Sequence, residues 1–144
     1  MTNKIKNLTL ENLEEVSRIC KQQFNEHSWS YNQIKDALND INYIKIGIFE
    51  NNSLCSFCFA LCSFDDINIL VVATENTSKN KGFAKMLIKE IIEQAKQKNK
   101  TISLEVREDN VVAINLYKCM GFSTEYVRKA YYKDKTNALI MFIR

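Results

Sequence analysis

Apolar positions recur along the chain with two different spacings, which predict two kinds of element. Alternating apolar and polar positions predict strands over residues 4–9, 43–49, 54–62, 101–106, 122–132 and 138–143. Residues 67–73 form an almost unbroken apolar run, which is typical of a strand buried on both faces. Apolar positions three and four residues apart predict helices over residues 10–24, 30–38, 82–95 and 111–120.

Turn and cap residues separate these segments and define a topology. Ser30 suits the N-cap of the second helix, Gly121 suits the end of the last one, and Asn51 and Asn52 indicate a hairpin. The order β-α-α-β-β-β-α-β-α-β-β predicts an α/β fold in one domain spanning residues 1–144. We expect a mixed central sheet of about seven strands flanked by about four helices. The strand–helix–strand unit over residues 67–106 predicts a right-handed parallel crossover.

Composition and charge narrow the classes of function. The chain has 144 residues, of which 46% are hydrophobic and 26% charged, as in an ordinary globular domain. Its net charge of +3 is small and does not suggest a nucleic-acid binder, which would have a concentrated basic patch. The sequence contains no run of 18 apolar residues and no basic-then-apolar leader. We therefore expect a cytoplasmic protein with neither nucleic acid nor membrane as a partner.

The cysteines raise the question of a metal site. Cys55 and Cys58 have C-x-x-C spacing, but a zinc site normally needs a second matched pair, and Cys20, Cys119 and His27 are scattered. Positions 55 and 58 also lie in a predicted strand, where residues three apart point to opposite faces. We therefore expect no metal, and reduced, buried thiols.

A polar loop before the third helix is a candidate anion site. Backbone N–H groups at a helix start carry partial positive charge and can bind phosphate, and Lys79, Lys81 and Lys85 add charge. Gly82 is one of three glycines in the chain and would let a ligand approach the backbone closely. Taken alone, this glycine equally suits a tight turn into the helix, because the stretch is neither a Walker A nor a G-x-G-x-x-G sequence.

Glu105 and Tyr117 are further candidates for chemistry. A carboxylate within the strand over residues 101–106 must face solvent, find a partner or line a cleft, and an exposed edge strand would explain it equally well. Tyr117 lies among apolar residues of the last helix, where an aromatic side chain usually belongs to the core.

Taken together, these segments resemble the GNAT superfamily of N-acetyltransferases. The family's acetyl-CoA motif, Gln/Arg-x-x-Gly-x-Gly/Ala after a buried strand, corresponds here to residues 79–84, with a departure at Lys79. Residues 104–122 are similar to Leu-Glu-Val-Arg-x-x-Asn and Ala-x-x-Leu-Tyr-x-x-x-Gly-Phe of its ribosomal-protein-alanine N-acetyltransferases. Residues 128–132 resemble the Arg-x-x-Tyr-Tyr of that subfamily, and Trp29-Ser30 resembles its early Trp-Ser. The resemblance covers nearly the whole chain.

The resemblance implies an acyltransferase that uses acetyl-CoA as co-substrate and transfers acetyl directly to an N-terminal peptide amine. An ammonium cannot attack, so a base must take its proton, and a phenol can protonate a leaving thiolate. The resemblance gives Glu105 the role of general base and Tyr117 that of general acid. The expected contacts of acetyl-CoA are Val72, Ala73, Thr74, Lys79, Asn80, Lys81, Gly82, Phe83, Ala84, Lys85 and Asn110.

The acceptor is less constrained by the residues. Trp29, Arg107 and Tyr131 could shape a cleft for an extended peptide, although they could equally be core aromatics and a surface arginine. We expect a protein N-terminus as partner, with the alanine of a ribosomal protein as the acceptor, and a monomer or weak dimer. An acetyltransferase for a small amine, such as an antibiotic or a free amino acid, is the first alternative. A non-catalytic CoA-binding or interaction module is the second, against which the presence of both Glu105 and Tyr117 argues.

Overall fold

The structure, a computed structural model, describes residues 5–144, so the predicted strand start at Lys4 lies outside the described residues. Its helices are α1 (Leu13–Phe24), α2 (Tyr31–Asn39), α3 (Phe83–Gln97) and α4 (Val111–Cys119). Its strands are β1 (Ile5–Asn7), β2 (Tyr43–Glu50), β3 (Ser53–Cys62), β4 (Asp66–Thr74), β5 (Thr101–Arg107), β6 (Ser123–Arg128) and β7 (Ala138–Ile143). This order of elements confirms the predicted α/β topology.

The strands form one seven-stranded sheet in the order β1-β2-β3-β4-β5-β7-β6. All neighbouring pairs are antiparallel except β4 and β5, which run parallel on either side of the α3 crossover. The sheet is therefore mixed, as predicted.

Helices pack against both faces of the sheet and bury a separate apolar cluster on each. The face toward α3 and α4 is covered by apolar positions of both helices, among them Leu87, Ile88, Ile91 and Ile114. The opposite face, over β3 and β4, is covered by α1 and α2. The face toward α3 and α4 is called below the α3/α4 face, and the face toward α1 and α2 the α1/α2 face.

Side chains cap the starts of α2 and α4, and a glycine follows the end of α4. The Ser30 hydroxyl accepts a hydrogen bond from the Gln33 backbone N–H at 3.1 Å, so it caps α2. The Asn110 side-chain oxygen accepts from the Ala113 N–H at 3.2 Å and caps α4. Gly121 follows α4 with a φ of +108°, a left-handed conformation that glycine adopts at little steric cost.

Two expectations about the strands were wrong, and a β-bulge explains each. β4 is not buried throughout: Leu70 is 39% exposed at an irregularity in its pairing with β3. The bulge moves Ile69 and Val71 to opposite faces of the sheet, although residues two apart normally share one. A second bulge, where β2 pairs with β3, places Cys55 in the same cluster as Cys58 rather than on the other face.

The penultimate strand is also shorter than the pattern indicated. β6 ends at Arg128, and residues 129–137 form a loop in which Ala130 and Lys135 have positive φ values. All six residues of β6 are exposed at the sheet edge. The alternating pattern in the sequence therefore extends beyond Arg128, the last residue of β6 that pairs with β7.

Candidate functional site

The sheet opens into a gap between its two parallel strands. β4 and β5 pair only from Asp66 with Thr101 to Ile69 with Leu104. Beyond that point β4 remains paired with β3 alone and β5 with β7 alone. The edges of β4 and β5 that face each other there have backbone groups without a sheet partner, so an extended ligand arm can pair with them as an added strand.

A cavity of about 510 Å³ lies beside this gap and extends to the start of α3. Among the predicted cofactor residues, all except Lys81 line it; the amine of Lys81 lies 3.3 Å from a carboxylate oxygen of Glu50. The lining residues are Gln23, Phe24, Val72, Ala73, Thr74, Ser78, Lys79, Asn80, Gly82, Phe83, Ala84, Lys85, Asn110, Val112, Ala113, Leu116 and Tyr117. The segment over residues 79–85, which joins the loop after β4 to the start of α3, thus shares one cavity with β4 and with Tyr117.

The backbone of residues 79–85 has the features of an anion site. Gly82 is the N-cap of α3, with a φ of +80°, and makes no side-chain cap to the helix. Asn80 is also left-handed, with a φ of +66°. The first N–H groups of a helix find no acceptor within it, and left-handed turns gather such groups into concave anion sites. Lys79 and Lys85 border the same space.

Residues at the end of α1 also line the cavity, and no sequence signal indicated them. The Gln22 side-chain oxygen accepts from the Asn76 backbone N–H at 3.1 Å, and the Gln23 amide donates to Asn76 Oδ1 at 2.8 Å. These contacts hold the end of α1, with Gln23 and Phe24, against the loop that follows β4. They join residues more than fifty positions apart, beyond the reach of any local pattern.

Tyr117 lies on the α3/α4 face and lines the cavity. Its ring is partly buried, with its centroid 5.8 Å from that of Phe122. Burial, with a smaller contribution from the Cys58 thiol, raises the pKa of Tyr117 from 10.0 to about 12. The phenol therefore retains its proton throughout the neutral range.

Glu105 points to the other face of the sheet. Its neighbours Leu104 and Val106 are buried in the cluster under α3 and α4, and side chains alternate along a strand. Glu105 is exposed on the α1/α2 face, and the Tyr132 hydroxyl lies 3.4 Å from its Oε1. The two predicted catalytic groups thus lie on opposite faces, beside the gap between β4 and β5.

The three predicted substrate residues have different surroundings. Trp29 packs against Phe59 and Tyr43, with ring centroids 5.7 Å and 6.5 Å away, and borders a separate cavity of about 240 Å³. Tyr131 is 49% exposed on the loop between β6 and β7. The Arg107 guanidinium, in contrast, is held by carboxylates of its own chain.

Arg107 joins the end of β5 to this loop. It donates to both carboxylate oxygens of Asp109 at 3.1 Å, to Asp134 at 2.7 Å and to the Thr136 hydroxyl at 3.1 Å. Its guanidinium carbon also lies 4.8 Å from the centre of the Tyr132 ring. Hydrogen bonds from Arg107 lower the pKa of Asp109 and hold that of Asp134 well below its usual range.

Metal-ligand clusters and membrane-spanning helices are both absent from residues 5–144. No group of three or more His, Cys, Asp or Glu side chains there could hold a metal ion. Over the same residues, no helix is long and apolar enough to cross a membrane.

Comparison with known proteins identifies the family. Residues 10–122 match the model of the acetyltransferase (GNAT) family. The chain belongs to the GNAT family. It is 31% identical over 126 residues to the [ribosomal protein bS18]-alanine N-acetyltransferase of Haemophilus influenzae, covering 84% of this chain and 85% of that protein. The fold and the enzyme class predicted from the sequence are thereby confirmed.

Solved structures of GNAT proteins superpose on nearly the whole chain. The ribosomal-protein-S18-alanine N-acetyltransferase of Escherichia coli is 25% identical, with a TM-score of 0.89 over 99% of this chain and 93% of that one. Arabidopsis thaliana NAA60 in complex with acetyl-CoA is 17% identical, with a TM-score of 0.86 over 99% and 98%, and shows the shared fold. The protein is therefore a GNAT N-acetyltransferase, and enzymes of this fold use acetyl-CoA.

Proposed function

We propose that the protein transfers acetyl from acetyl-CoA to the N-terminal amine of a polypeptide, with the N-terminal alanine of a ribosomal protein as the acceptor. The observation that carries the proposal is the position of Glu105 and Tyr117 on opposite faces of the sheet beside the gap between β4 and β5. This arrangement lets donor and acceptor approach from different sides. The printed name of the Haemophilus influenzae relative supports the choice of acceptor.

The residues around the cavity fit acetyl-CoA by their chemistry. The start of α3, with left-handed Asn80 and Gly82 and with Lys79 and Lys85 nearby, suits a diphosphate. The open edge of β4 over Val72, Ala73 and Thr74 suits an amide-containing arm, which would pair like an added strand. Phe83, Ala84 and Asn110 line the same cavity, whereas Lys81 would add only charge near its rim.

The reaction divides between the two faces: acetyl-CoA would bind on the α3/α4 face, the donor face, and the amine on the α1/α2 face, the acceptor face. Acetyl-CoA supplies the acetyl group as a thioester. On the acceptor face Glu105 takes a proton from the incoming ammonium, directly or through water, because only the free amine can attack. A backbone N–H on the open edge of β4 steadies the negative charge that develops on the carbonyl oxygen. The amine nitrogen bonds to the carbonyl carbon, and the C–S bond breaks. On the donor face Tyr117, whose raised pKa keeps it protonated, gives its proton to the departing sulfur, and the second proton lost by the amine nitrogen returns to the Tyr117 oxygen through solvent.

The proposed acceptor suits a single carboxylate base. An α-amino group has a pKa of about 8, against about 10.4 for lysine, so a larger fraction is already neutral near pH 7. Trp29 and the exposed Tyr131 lie on loops that flank the acceptor face and would contact the first residues of the peptide. Arg107 would act on the same peptide through the loop that it holds.

An acceptor comparison tests this proposal. The purified protein is mixed with acetyl-CoA and an alanine-initiated peptide containing an internal lysine, and release of CoA is followed. Activity should disappear when the same peptide carries a blocked N-terminus, although its lysine remains. A higher kcat/KM for an aminoglycoside, a polyamine or a free amino acid than for any peptide would overturn the acceptor assignment.

A further inference from the structure

Glu105 has a neighbour, Tyr132, that contacts the proposed base from the loop between β6 and β7. Its hydroxyl lies 3.4 Å from Glu105 Oε1 and donates to it. Burial raises the pKa of Tyr132 to about 12, and the Glu105 charge adds to the rise, so the phenol remains a donor at neutral pH. The Glu105 side chain is otherwise exposed. An exposed carboxylate samples several rotamers, and one hydrogen bond from a held donor selects among them.

Tyr132 is itself held in place through Arg107. The guanidinium stacks on the phenol ring at 4.8 Å and binds Asp134 on the same loop. The loop is closed internally as well, because the Tyr132 backbone N–H donates to the Thr136 carbonyl and the Lys135 N–H to the Tyr132 carbonyl. A planar guanidinium can stack on a ring and bind two carboxylates at once, which an ammonium cannot do.

We propose that Tyr132 is a positioning residue that orients the Glu105 carboxylate toward the acceptor amine, and that Arg107 acts through Tyr132. This inference rests on the proposed role of Glu105 as base. It gives Arg107 a role other than direct contact with the peptide, and it gives Tyr132 a role distinct from the surface contact expected of Tyr131.

A double-mutant cycle tests the first step. Tyr132→Phe removes only the hydroxyl and should lower kcat roughly tenfold, since a hydrogen bond to a charged group contributes about that factor. In a Glu105→Gln background the same change should alter kcat by less than about twofold, because no base remains to be oriented. Formation of acetylated peptide is quantified by mass spectrometry, so that the slow variants can be measured.

The second step is tested with arginine variants. Arg107→Lys should lower kcat when it is the only substitution. It should have little further effect on kcat in the Tyr132→Phe background. Arg144→Lys is the matched control, because Arg144 also binds a carboxylate, that of Glu125, and stacks on a ring, that of Phe142, outside the site. Tyr126 on β6 is 53% exposed and packs against Phe142, so Tyr126→Phe is the matched control for Tyr132→Phe. Arg144→Lys and Tyr126→Phe should leave kcat unchanged. Melting temperatures show whether each variant is folded, so that a lower kcat in a folded variant can be assigned to a mispositioned Glu105 carboxylate.

Two results would overturn the inference. If Tyr132→Phe reduces kcat by the same factor in both backgrounds, the phenol does not act through Glu105. If Tyr132→Phe or Arg107→Lys raises the acceptor KM and leaves kcat unchanged, the residue binds the peptide instead. Failure of the proposed base is a separate result: Glu105→Gln alone would then turn over normally.

Discussion

Gly82 offers a sharp test of the donor site, because two nearly isosteric side chains separate charge from shape there. Its φ of +80° lies in the left-handed region, which Asn and Asp tolerate better than most residues. A Cβ added at Gly82 would meet no atom within 4 Å. Gly82→Asn and Gly82→Asp should therefore both fold, with a similar backbone strain.

The two variants should differ in their affinity for acetyl-CoA. Gly82→Asp places a carboxylate at the start of α3, beside the N–H groups proposed to hold the diphosphate. Two like unit charges 4 Å apart repel by about 1 kcal/mol in water and about 4 kcal/mol at an effective dielectric constant near 20. This range corresponds to a Kd roughly fivefold to a thousandfold weaker than that of Gly82→Asn. The free protein should not lose stability through the charge, because a carboxylate at a helix N-terminus is favourable by about 0.3–1 kcal/mol.

Calorimetric titration of acetyl-CoA into the wild type and both variants measures this difference. High ionic strength should narrow the gap between the Asp and Asn variants, since salt screens the repulsion. Circular dichroism and thermal melting establish that each variant is folded. Equal affinities for the folded Asp and Asn variants at low ionic strength would refute the placement of the diphosphate at residues 79–85.

The remaining predictions concern the reaction and alkaline stability. Glu105→Gln should lower turnover by roughly 10²–10⁴-fold and leave acetyl-CoA affinity unchanged, and unchanged turnover would exclude the base role. Tyr117→Phe should also reduce turnover with little effect on calorimetric affinity, whereas normal turnover would mean that the phenol only packs. Burial raises the pKa of Cys58 from 9.0 to about 12. At a pH between these two values the thiol is therefore protonated in the folded state and deprotonated in the unfolded state. The free energy of unfolding should therefore fall with rising pH there, by about 1.4 kcal/mol per pH unit from this thiol. Denaturant titrations at several pH values should show that the free energy of unfolding falls less steeply with pH in Cys58→Ala than in the wild type. An identical dependence on pH would contradict the burial argument.

Much of the fold followed from local pattern. Helical spacing predicted all four helices, Ser30 and Asn110 cap two of them, and the apolar run at residues 67–73 followed by a helix and a strand predicted the parallel pair β4 and β5. These features depend on residues within a few positions of one another, and the side-chain periods of 3.6 and 2 report them directly. The motif at residues 79–84 also pointed to the wall of the cavity that the structure contains.

Features set by distant contacts were not accessible in this way. The bulges at Leu70 and Cys55 reverse the facing of the residues that follow them, so the expected burial of the whole 67–73 run and the expected face of Cys55 were both wrong. Hydrogen bonds of the Gln22 and Gln23 side chains with Asn76 join the end of α1 to the loop after β4, and these residues lie far apart in the sequence. No period in the sequence reports a contact of this kind.

The sequence by itself determined the elements, their order and the candidate catalytic and binding residues, because these depend on local periodicity and residue type. Only the tertiary structure decided which of those residues meet. The pairing of β4 with β5 ends at Ile69 and leaves a gap, and the packing of α4 on one face of the sheet sets Tyr117 opposite Glu105 beside that gap. The Arg107 guanidinium is bound by Asp134, 27 residues away, and Tyr132 rather than Tyr131 lies against Glu105. Each of these contacts depends on the closure of a long loop, and its geometry is set by packing across the sheet rather than by neighbours along the chain.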